Sequence, residues 1–539
     1  MSSTEPAYDL VVIGGGINGA GIARDAALRG MRVLLLEARD FGSGTSSWSS
    51  RLIHGGLRYL EYGEIPLVYE SLHERRCLRR IASHLVRPLR ITIPLYRGGR
   101  RPPWLVRAGM LAYDLLSLGK SLPRHRMLSR DELLAAEPGV NPRNLRGAAQ
   151  YYDAQVTYAE RLVMENILAA AAAGADVRNY TPVTGIESGG DLGCRVRFRG
   201  PGGPRACVAS ARTVVNAAGP WVDRVLATSG AEVPRLMGGT KGSHIVVGAF
   251  EGAPRDGFYV EAARDGRPVF ILPWNEQYLI GTTDIRYDDD PADARASIDE
   301  VRYLLDAANA VFPAARLSAG DIHYTYAGIR PLPYQSEGPE SAITRRHIIH
   351  DHGPAIPGLL SVIGGKLTTY RSLAEQVVDR VAARVPGRQR DCRSDAWLLP
   401  GAVAADAANA ALAAFPALSE AGRHRLLSVY GGRCGRLAQL AAADPRLAAT
   451  LDADCTVVAA EVALAVREEF ARTLVDMVHR RLMIGLRADQ GASAGDAVLA
   501  VAARECRWSA AQSEAERQAL RTYNRRLKSA VSDGPQSPL

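Results

Sequence analysis

A mixed α/β fold closed by an all-helical part is what this 539-residue sequence predicts, on three observations. The stretch from Tyr8 to Glu37 reads as strand, glycine turn, helix and second strand. Strand-like and helical segments then alternate to about residue 385. From Gly401 onward the chain is rich in Ala, Leu, Arg and Glu, and Glu461 to Leu482 carries a helical period. At this length one hydrophobic core does not suffice, so two or three domains are expected.

The first element is the most specific. Leu10 to Ile13 form a continuous apolar run suited to a buried parallel strand, and Gly14, Gly16 and Gly19 supply a G-x-G-x-x-G spacing. Gly14 permits a tight turn, Gly16 lets backbone approach a pyrophosphate, and Gly19 lets the helix pack closely on the strand. The helix expected over Ile17 to Arg29 aims its positive N-terminal end at that pyrophosphate. Glu37 ends the second strand, where a carboxylate accepts the hydroxyls of an adenosine ribose at roughly 1.5 to 3 kcal/mol per charge-assisted bond. An acid there repels a 2′-phosphate, so the Rossmann-like unit is read as binding FAD or NAD.

Further along, Thr213 to Trp221 (TVVNAAGPW) has the pattern of a second buried strand returning to the dinucleotide and stopping at Gly219. Pro386 to Gly401 reads as a linker by its charge and its Pro and Gly content, and the tail from about Lys528 to Leu539 reads as disordered. No internal repeat is visible.

Composition narrows the class. With 47% hydrophobic and 23% charged residues the chain has the balance of a globular protein with a sizeable core. Its seven cysteines, at 77, 194, 207, 392, 434, 455 and 506, show no C-x-x-C or zinc-finger spacing, which favours reduced thiols in a cytoplasmic setting and no metal site. Neither a secretory signal, nor a transit peptide, nor a run of about 20 apolar residues is read in the sequence.

The net charge is +9, and its distribution points to a partner. Eight basic residues (Arg97, Arg100, Arg101, Arg107, Lys120, Arg124, Arg126 and Arg130) face one acid, Asp114, between Arg97 and Arg130. Between their clusters Trp104, Ala108, Leu111, Leu115 and Leu118 recur at helical spacing as one apolar stripe. Basic flanks, an interfacial Trp and an apolar face suit a helix lying on an anionic lipid surface, at about 1 kcal/mol per basic residue. A core helix with solvated ends is the competing reading. Nucleic acid is not expected, because the arginines are not interleaved with stacking aromatics.

From Thr45 the sequence TSSWSSRLIHGGLRYLEYGE resembles the FAD-dependent glycerol-3-phosphate dehydrogenases of aerobic, respiring cells. The resemblance continues through KGSHIVV (Lys241 to Val247), LIGTTD (Leu279 to Asp284), YAGIRPL (Tyr326 to Leu332), AITR (Ala342 to Arg345) and SVIGGKLTTYRSLAE (Ser361 to Glu375). It covers nearly the whole first 400 residues. It implies an FAD-binding domain at about 1–75, 150–235 and 345–385, interleaved with an antiparallel-sheet substrate domain at about 76–149 and 236–344. A helical domain at 396–527 and a tail at 528–539 follow.

The resemblance also implies a site. Arg58, Tyr59, Arg330 and Lys366 match positions that bind the phosphate of a three-carbon alcohol. A cluster of buried, unpaired cations implies a bound anion, and Arg offers a planar fork where Lys offers a point charge. His244 is the candidate base, on the argument that an imidazole with a pKa near neutrality takes a proton and returns it to solvent, with Arg330 beside it at the chemistry. Gly365, Lys366, Leu367 and Thr368 match a loop at the pyrimidine end of the flavin. Thr45, Ser46, Ser47, His54, Gly55 and Gly56 match the segment along the ring and ribityl chain, and Asn18 and Val183 complete the cofactor set.

The implied reaction is oxidation of sn-glycerol 3-phosphate to dihydroxyacetone phosphate with electrons passed to a membrane quinone. The implied location is peripheral, on the cytoplasmic face of the inner membrane, with homodimerisation left open. Alternatives are an oxidase that uses oxygen, a basic flavin-fold protein that binds nucleic acid, and a nicotinamide-linked dehydrogenase.

Overall fold

The computed structural model describes residues 7–61, 63–119, 122–188, 193–200, 206–338, 343–387 and 390–532; within these, the side chains of Ala7, Arg58 and Glu61 and those beyond Lys528 are not described. Its strands form two sheets. The first runs in the order 348–351, 359–363, 206–216, 7–13, 33–36, 176–178, and a hairpin of 183–188 and 194–199 continues from the strand at 206–216. Its central pairings are parallel: Leu10 lies opposite both Val33 and Thr213. Leu10, Val11 and Val12 have no solvent exposure, as a strand covered on both faces requires.

The helix Ile17–Leu28 packs between this sheet and the helices Ala159–Ala172 and Tyr370–Ala382. It is buried almost all round, which explains why its residues are small and apolar. A Cβ on Gly21 would meet the Tyr370 ring at 2.7 Å.

The second sheet carries ten strands and is largely antiparallel, its long pairs being Val86–Tyr96 with Leu145–Val156 and Met237–Val247 with Ile322–Pro333. One pairing, Gly257–Glu261 on Val86–Tyr96, is parallel. The short strand Leu52–Ile53 joins this sheet by pairing with Leu145–Val156, so the chain reaches it before residue 76.

Beyond Gly401 the described secondary structure is helical. The core of this part is continuous with the second sheet, because Trp274, Tyr324 and Tyr326 share one apolar cluster with Leu464, Met477 and Leu482. The helical period read over Glu461–Leu482 is interrupted. Ala459–Arg467 stops, the chain turns through Phe470 at φ +59°, and helix resumes at Leu474. The break lets the Glu469 carboxylate accept a bidentate pair from Arg161 at 2.6 and 2.9 Å and a bond from Arg433. These cations hold its pKa down at about 2 despite burial.

Two expectations are corrected. Pro386–Gly401 is not a loose linker over its described length: Arg24 donates to the carbonyls of Ser394 and Trp397, and Leu399 is fully buried. The final helix runs Ala510–Ser532, so Lys528 to Ser532 are helical, while 533–539 lie outside the described residues.

The segment at Pro103–Leu116 is a helix, and its faces decide between the two readings of the stripe. Val106, Met110 and Tyr113 point into the protein, whereas Trp104 is 70% exposed, Leu111 56% and Leu115 66%. The predicted stripe lies outside, not in the core. Arg97, Arg100, Arg107, Arg124 and Arg126 are exposed around it, while Lys120 falls outside the described residues.

Candidate active site

The glycine turn opens a cleft of about 510 Å³ along the C-terminal edge of the first sheet, a volume in the range of cofactor pockets. The turn is tight for a physical reason. A Cβ on Gly14 would lie 2.6 Å from the Ala217 carbonyl oxygen, and one on Gly19 would lie 1.9 Å from that of Gly14. Gly14 also has φ +109°, which side-chain-bearing residues avoid. Glu37 accepts from the amides of Gly15 at 2.6 Å and Arg39 at 2.8 Å. Burial pushes its carboxyl above the usual range, with both amides opposing that shift.

Around this cleft stand Gly16, Asn18, Thr45, Ser46, Val183, Gly219, Gly365, Lys366 and Leu367. Ser46 Oγ accepts from the Ile17 amide at 3.0 Å, and Thr45 donates to the Ile329 carbonyl at 2.7 Å. The buried Oδ1 of Asn18 has no protein donor, and its amide donates to the Gly364 carbonyl at 3.3 Å. A backbone cradle at a helix start, an acid at the second strand end and an unsatisfied polar atom facing a long cleft fit a dinucleotide. Ser47 supports the loop from behind by donating to the Gly42 carbonyl, and the Thr368 hydroxyl accepts from the His54 amide.

The second sheet carries the candidates for the chemistry. His244 pairs across to Tyr326 and Thr240 to Arg330, so His244 and Arg330 project from one face of neighbouring strands. Two glycines make room: a Cβ on Gly242 would strike the Arg330 guanidinium at 2.3 Å, and one on Gly281 the His244 ring at 2.2 Å. His244 stacks on Tyr326 at 4.8 Å, its Nε2 shares a 2.8 Å hydrogen bond with Ser50, and its buried Nδ1 has no protein partner. Burial, with Arg330 and Arg51 nearby, drives its pKa well below the ordinary 6.5. The expected imidazole poised near neutrality is therefore corrected to one held neutral across the physiological range.

Arg330 is also corrected. It is not an uncompensated cation: it pairs with Asp284 at 2.9 Å and donates to Thr282 Oγ1 and the Thr283 carbonyl. Asp284 is shared with Arg345 at 3.0 Å, and the two arginines hold its carboxyl below the usual range. Lys366 is different. Its buried Nζ has no hydrogen-bond acceptor among the described residues and lies 3.7 Å from the Tyr59 ring centroid. Desolvation, opposed by Glu64 and Glu70, lowers its pKa to about 7.

The segment from His54 to Tyr59 brings Tyr59 to Lys366, while the Arg58 side chain lies outside the described residues. His54 sits edge-on to Phe270 at 6.3 Å, and burial lowers its pKa too. The residues that motif reading left without roles are Ser50, Thr282, Asp284 and Arg345. Thr282, Asp284 and Arg345 stand in the blocks LIGTTD and AITR and Ser50 in TSSWSS, but the meeting of Thr282 and Asp284 with Arg330, of Arg345 with Asp284 and of Ser50 with His244 depends on strand register.

Fold and cleft define the class: an FAD-dependent oxidoreductase. The family model of FAD dependent oxidoreductases matches residues 9–371, and that of the C-terminal domain of alpha-glycerophosphate oxidase matches 392–513. The chain is 45% identical to a glycerol-3-phosphate dehydrogenase of Synechocystis over 96% of both chains, and 36% identical to one of Mycobacterium leprae over 97% of this chain and 88% of that one. A solved glycerol-3-phosphate dehydrogenase of Bacillus halodurans complexed with FAD superposes with a TM-score of 0.78 at 28% identity, covering 100% of this chain and 97% of that one. The chain belongs to the FAD-dependent glycerol-3-phosphate dehydrogenase family.

Proposed function

We propose that this chain oxidises sn-glycerol 3-phosphate to dihydroxyacetone phosphate and delivers the electrons to a membrane quinone. The observation that carries the substrate is the Lys366 ammonium, buried without an acceptor among the described residues at the rim of the cofactor cleft. An isolated buried ammonium is costly, and a phosphate dianion offers the charge and oxygens it lacks. Tyr59 fixes that ammonium by its ring face. Arg58 retains the phosphate role that its motif implies.

Gly14, Gly16, Asn18, Glu37, Ser46 and Gly365 to Thr368 would hold FAD, which when bound would supply two-electron acceptor chemistry for oxidation of the carbinol carbon. The hydroxyl proton goes to Nδ1 of His244, whose neutral state keeps that lone pair available, while Ser50 holds Nε2. Arg330, fixed by Asp284, presents positive charge to the oxygen as its proton leaves. The cation so formed on His244 is disfavoured by Arg330 and Arg51, which returns the proton to solvent.

Two features support a quinone at a lipid surface. The Pro103–Leu116 helix carries its apolar stripe outward among basic residues, and beside it opens a cleft of about 560 Å³ that includes Leu57, Leu60, Leu105, Val106 and Tyr259. Among the described residues no helix is long and apolar enough to cross a membrane, and the proposed contact is peripheral. A second reading rests on the C-terminal match to a glycerophosphate oxidase domain: oxygen as acceptor. Anaerobic addition of glycerol 3-phosphate should bleach the flavin band, and no bleaching overturns the substrate. Quinone-analogue reduction without hydrogen peroxide is the expected acceptor result, and stoichiometric peroxide would establish the oxidase.

A further inference from the structure

Tyr113 stands on the inner face of the Pro103–Leu116 helix, 2% exposed, and none of the roles above uses it. Its hydroxyl donates to Asp153 Oδ1 at 2.7 Å and accepts from the Gly55 amide at 3.1 Å. The same Asp153 oxygen takes a further contact from the Gly55 amide at 3.2 Å and an ion pair from Arg75 at 2.5 Å. Arg75 in turn donates to the Tyr152 carbonyl at 2.9 Å, and the Tyr113 ring meets Tyr151 edge-on at 5.6 Å. Arg75, Asp153 and Tyr113 form a buried polar knot whose phenol oxygen accepts from one backbone amide.

That amide belongs to the substrate loop. Gly55 leaves no room for a side chain, because a Cβ would lie 2.4 Å from the Tyr113 hydroxyl oxygen. Gly56 follows at φ +73° with the Tyr59 ring folded over it, where a Cβ would meet ring carbons at 2.2 Å. The ring then carries the Lys366 ammonium. A continuous chain of contacts thus runs from a helix whose other face is open to solvent, through one phenol, to the cation that awaits a phosphate.

We infer that Tyr113 is a positioning residue for the His54–Tyr59 loop, and that through it the seating of the Pro103–Leu116 helix on an anionic lipid surface sets the affinity for glycerol 3-phosphate. A helix shift that lengthens the bond to Gly55 leaves that amide with only its 3.2 Å contact to Asp153 and loosens the Tyr59 ring beneath Lys366. Losing one such neutral hydrogen bond is about 1 kcal/mol, or about fivefold in affinity. This inference rests on the substrate and the lipid contact proposed above.

The test uses the FAD-loaded full chain and Tyr113→Phe, which keeps the ring and removes the hydroxyl. In wild type, phosphatidylglycerol vesicles should lower the substrate concentration for half-maximal anaerobic flavin bleaching. Tyr113→Phe should need a concentration about fivefold higher, with the maximal rate less affected, and should not respond to vesicles. Equal concentrations and an equal vesicle response in the two proteins overturn the inference. Should the variant not fold, amide exchange in wild type decides: Gly55 to Tyr59 should exchange more slowly on vesicles, and unchanged exchange sinks it. Wild type that never bleaches defeats the proposed substrate, whereas wild type that bleaches but ignores vesicles defeats only the coupling.

Discussion

The ionisation of Lys366 makes the sharpest prediction. Burial lowers its pKa from 10.5 to about 7. At 1.36 kcal/mol per pH unit this is a penalty of roughly 4 to 5 kcal/mol on the charged form. The sign for stability follows from proton counts. Between about pH 7 and 10.5 the unfolded chain binds a proton at this lysine that the folded chain does not, so its contribution to stability rises with pH across that window. Binding has the opposite sign. The substrate phosphate is a dianion above its second pKa of about 6, and an opposite charge in contact restores the ammonium. Above pH 7 binding must therefore take up a proton. With a midpoint at about 7, the apparent KM for glycerol 3-phosphate should rise about fivefold from pH 7 to pH 8 and about fiftyfold by pH 9. Lys366→Ala should still purify yellow, with KM at pH 7 raised about 10- to 150-fold, the equivalent of 1.5 to 3 kcal/mol for a charged hydrogen bond, and without that slope. The assay is steady-state KM over pH 6 to 9 in both proteins. A flat wild-type profile above pH 7, or the same slope in the alanine variant, refutes the reasoning.

Three further outcomes are expected. His244→Asn should lower kcat by about 10²- to 10⁴-fold at unchanged flavin content, the usual contribution of a positioned proton acceptor, and activity within threefold of wild type would remove it from that role. Leu111→Glu with Leu115→Glu places two charges on the exposed stripe and should abolish co-sedimentation with anionic vesicles while anaerobic flavin bleaching persists; unchanged pelleting would show that another surface makes the contact. Asp40→Asn leaves Arg480 and Arg481 in the interior without their shared carboxylate, which lies 2.6 and 2.7 Å from them, and should cost about 3 to 5 kcal/mol in urea unfolding with weakened flavin retention. A loss below 1 kcal/mol would mean the two arginines find other partners.

Which parts of the molecule could be read from sequence follows from the range of the forces involved. The Tyr8–Glu37 unit was legible because its signals are local: an apolar run, three glycines with one packing reason each, and an acid two strand-lengths later. The outer stripe of the Pro103–Leu116 helix was legible as a period, but not which face it took. Val106, Met110 and Tyr113 form a second apolar face on the same helix, and only the fold shows that this one docks. The interrupted helix at Glu468–Thr473 was illegible for a similar reason. Helical period continues through it, and the break is imposed by Arg161, more than 300 residues away, which draws the Glu469 carboxylate out of register.

The site divides along the same line. Motif blocks named His244, Arg330 and Lys366 as site candidates, and the structure sets His244 near Arg330 and Lys366 at the rim of the cleft, yet the residue types alone do not say which cation is compensated. Arg330 and Arg345 share one carboxylate from Asp284, a pairing fixed by the register of Met237–Val247 against Ile322–Pro333 and by the loop after Gly281. Among the described residues of the site that leaves Lys366 as a charge without an acceptor, and it is a charge able to change state near neutrality. A permanently charged, carboxylate-locked guanidinium suits a fixed field at the reacting oxygen. A lysine that recovers its proton only against an anion suits recognition, because its charge is then expressed when phosphate is present. In the proposed mechanism the division of labour between these two cations follows from Asp284, which pairs with Arg330.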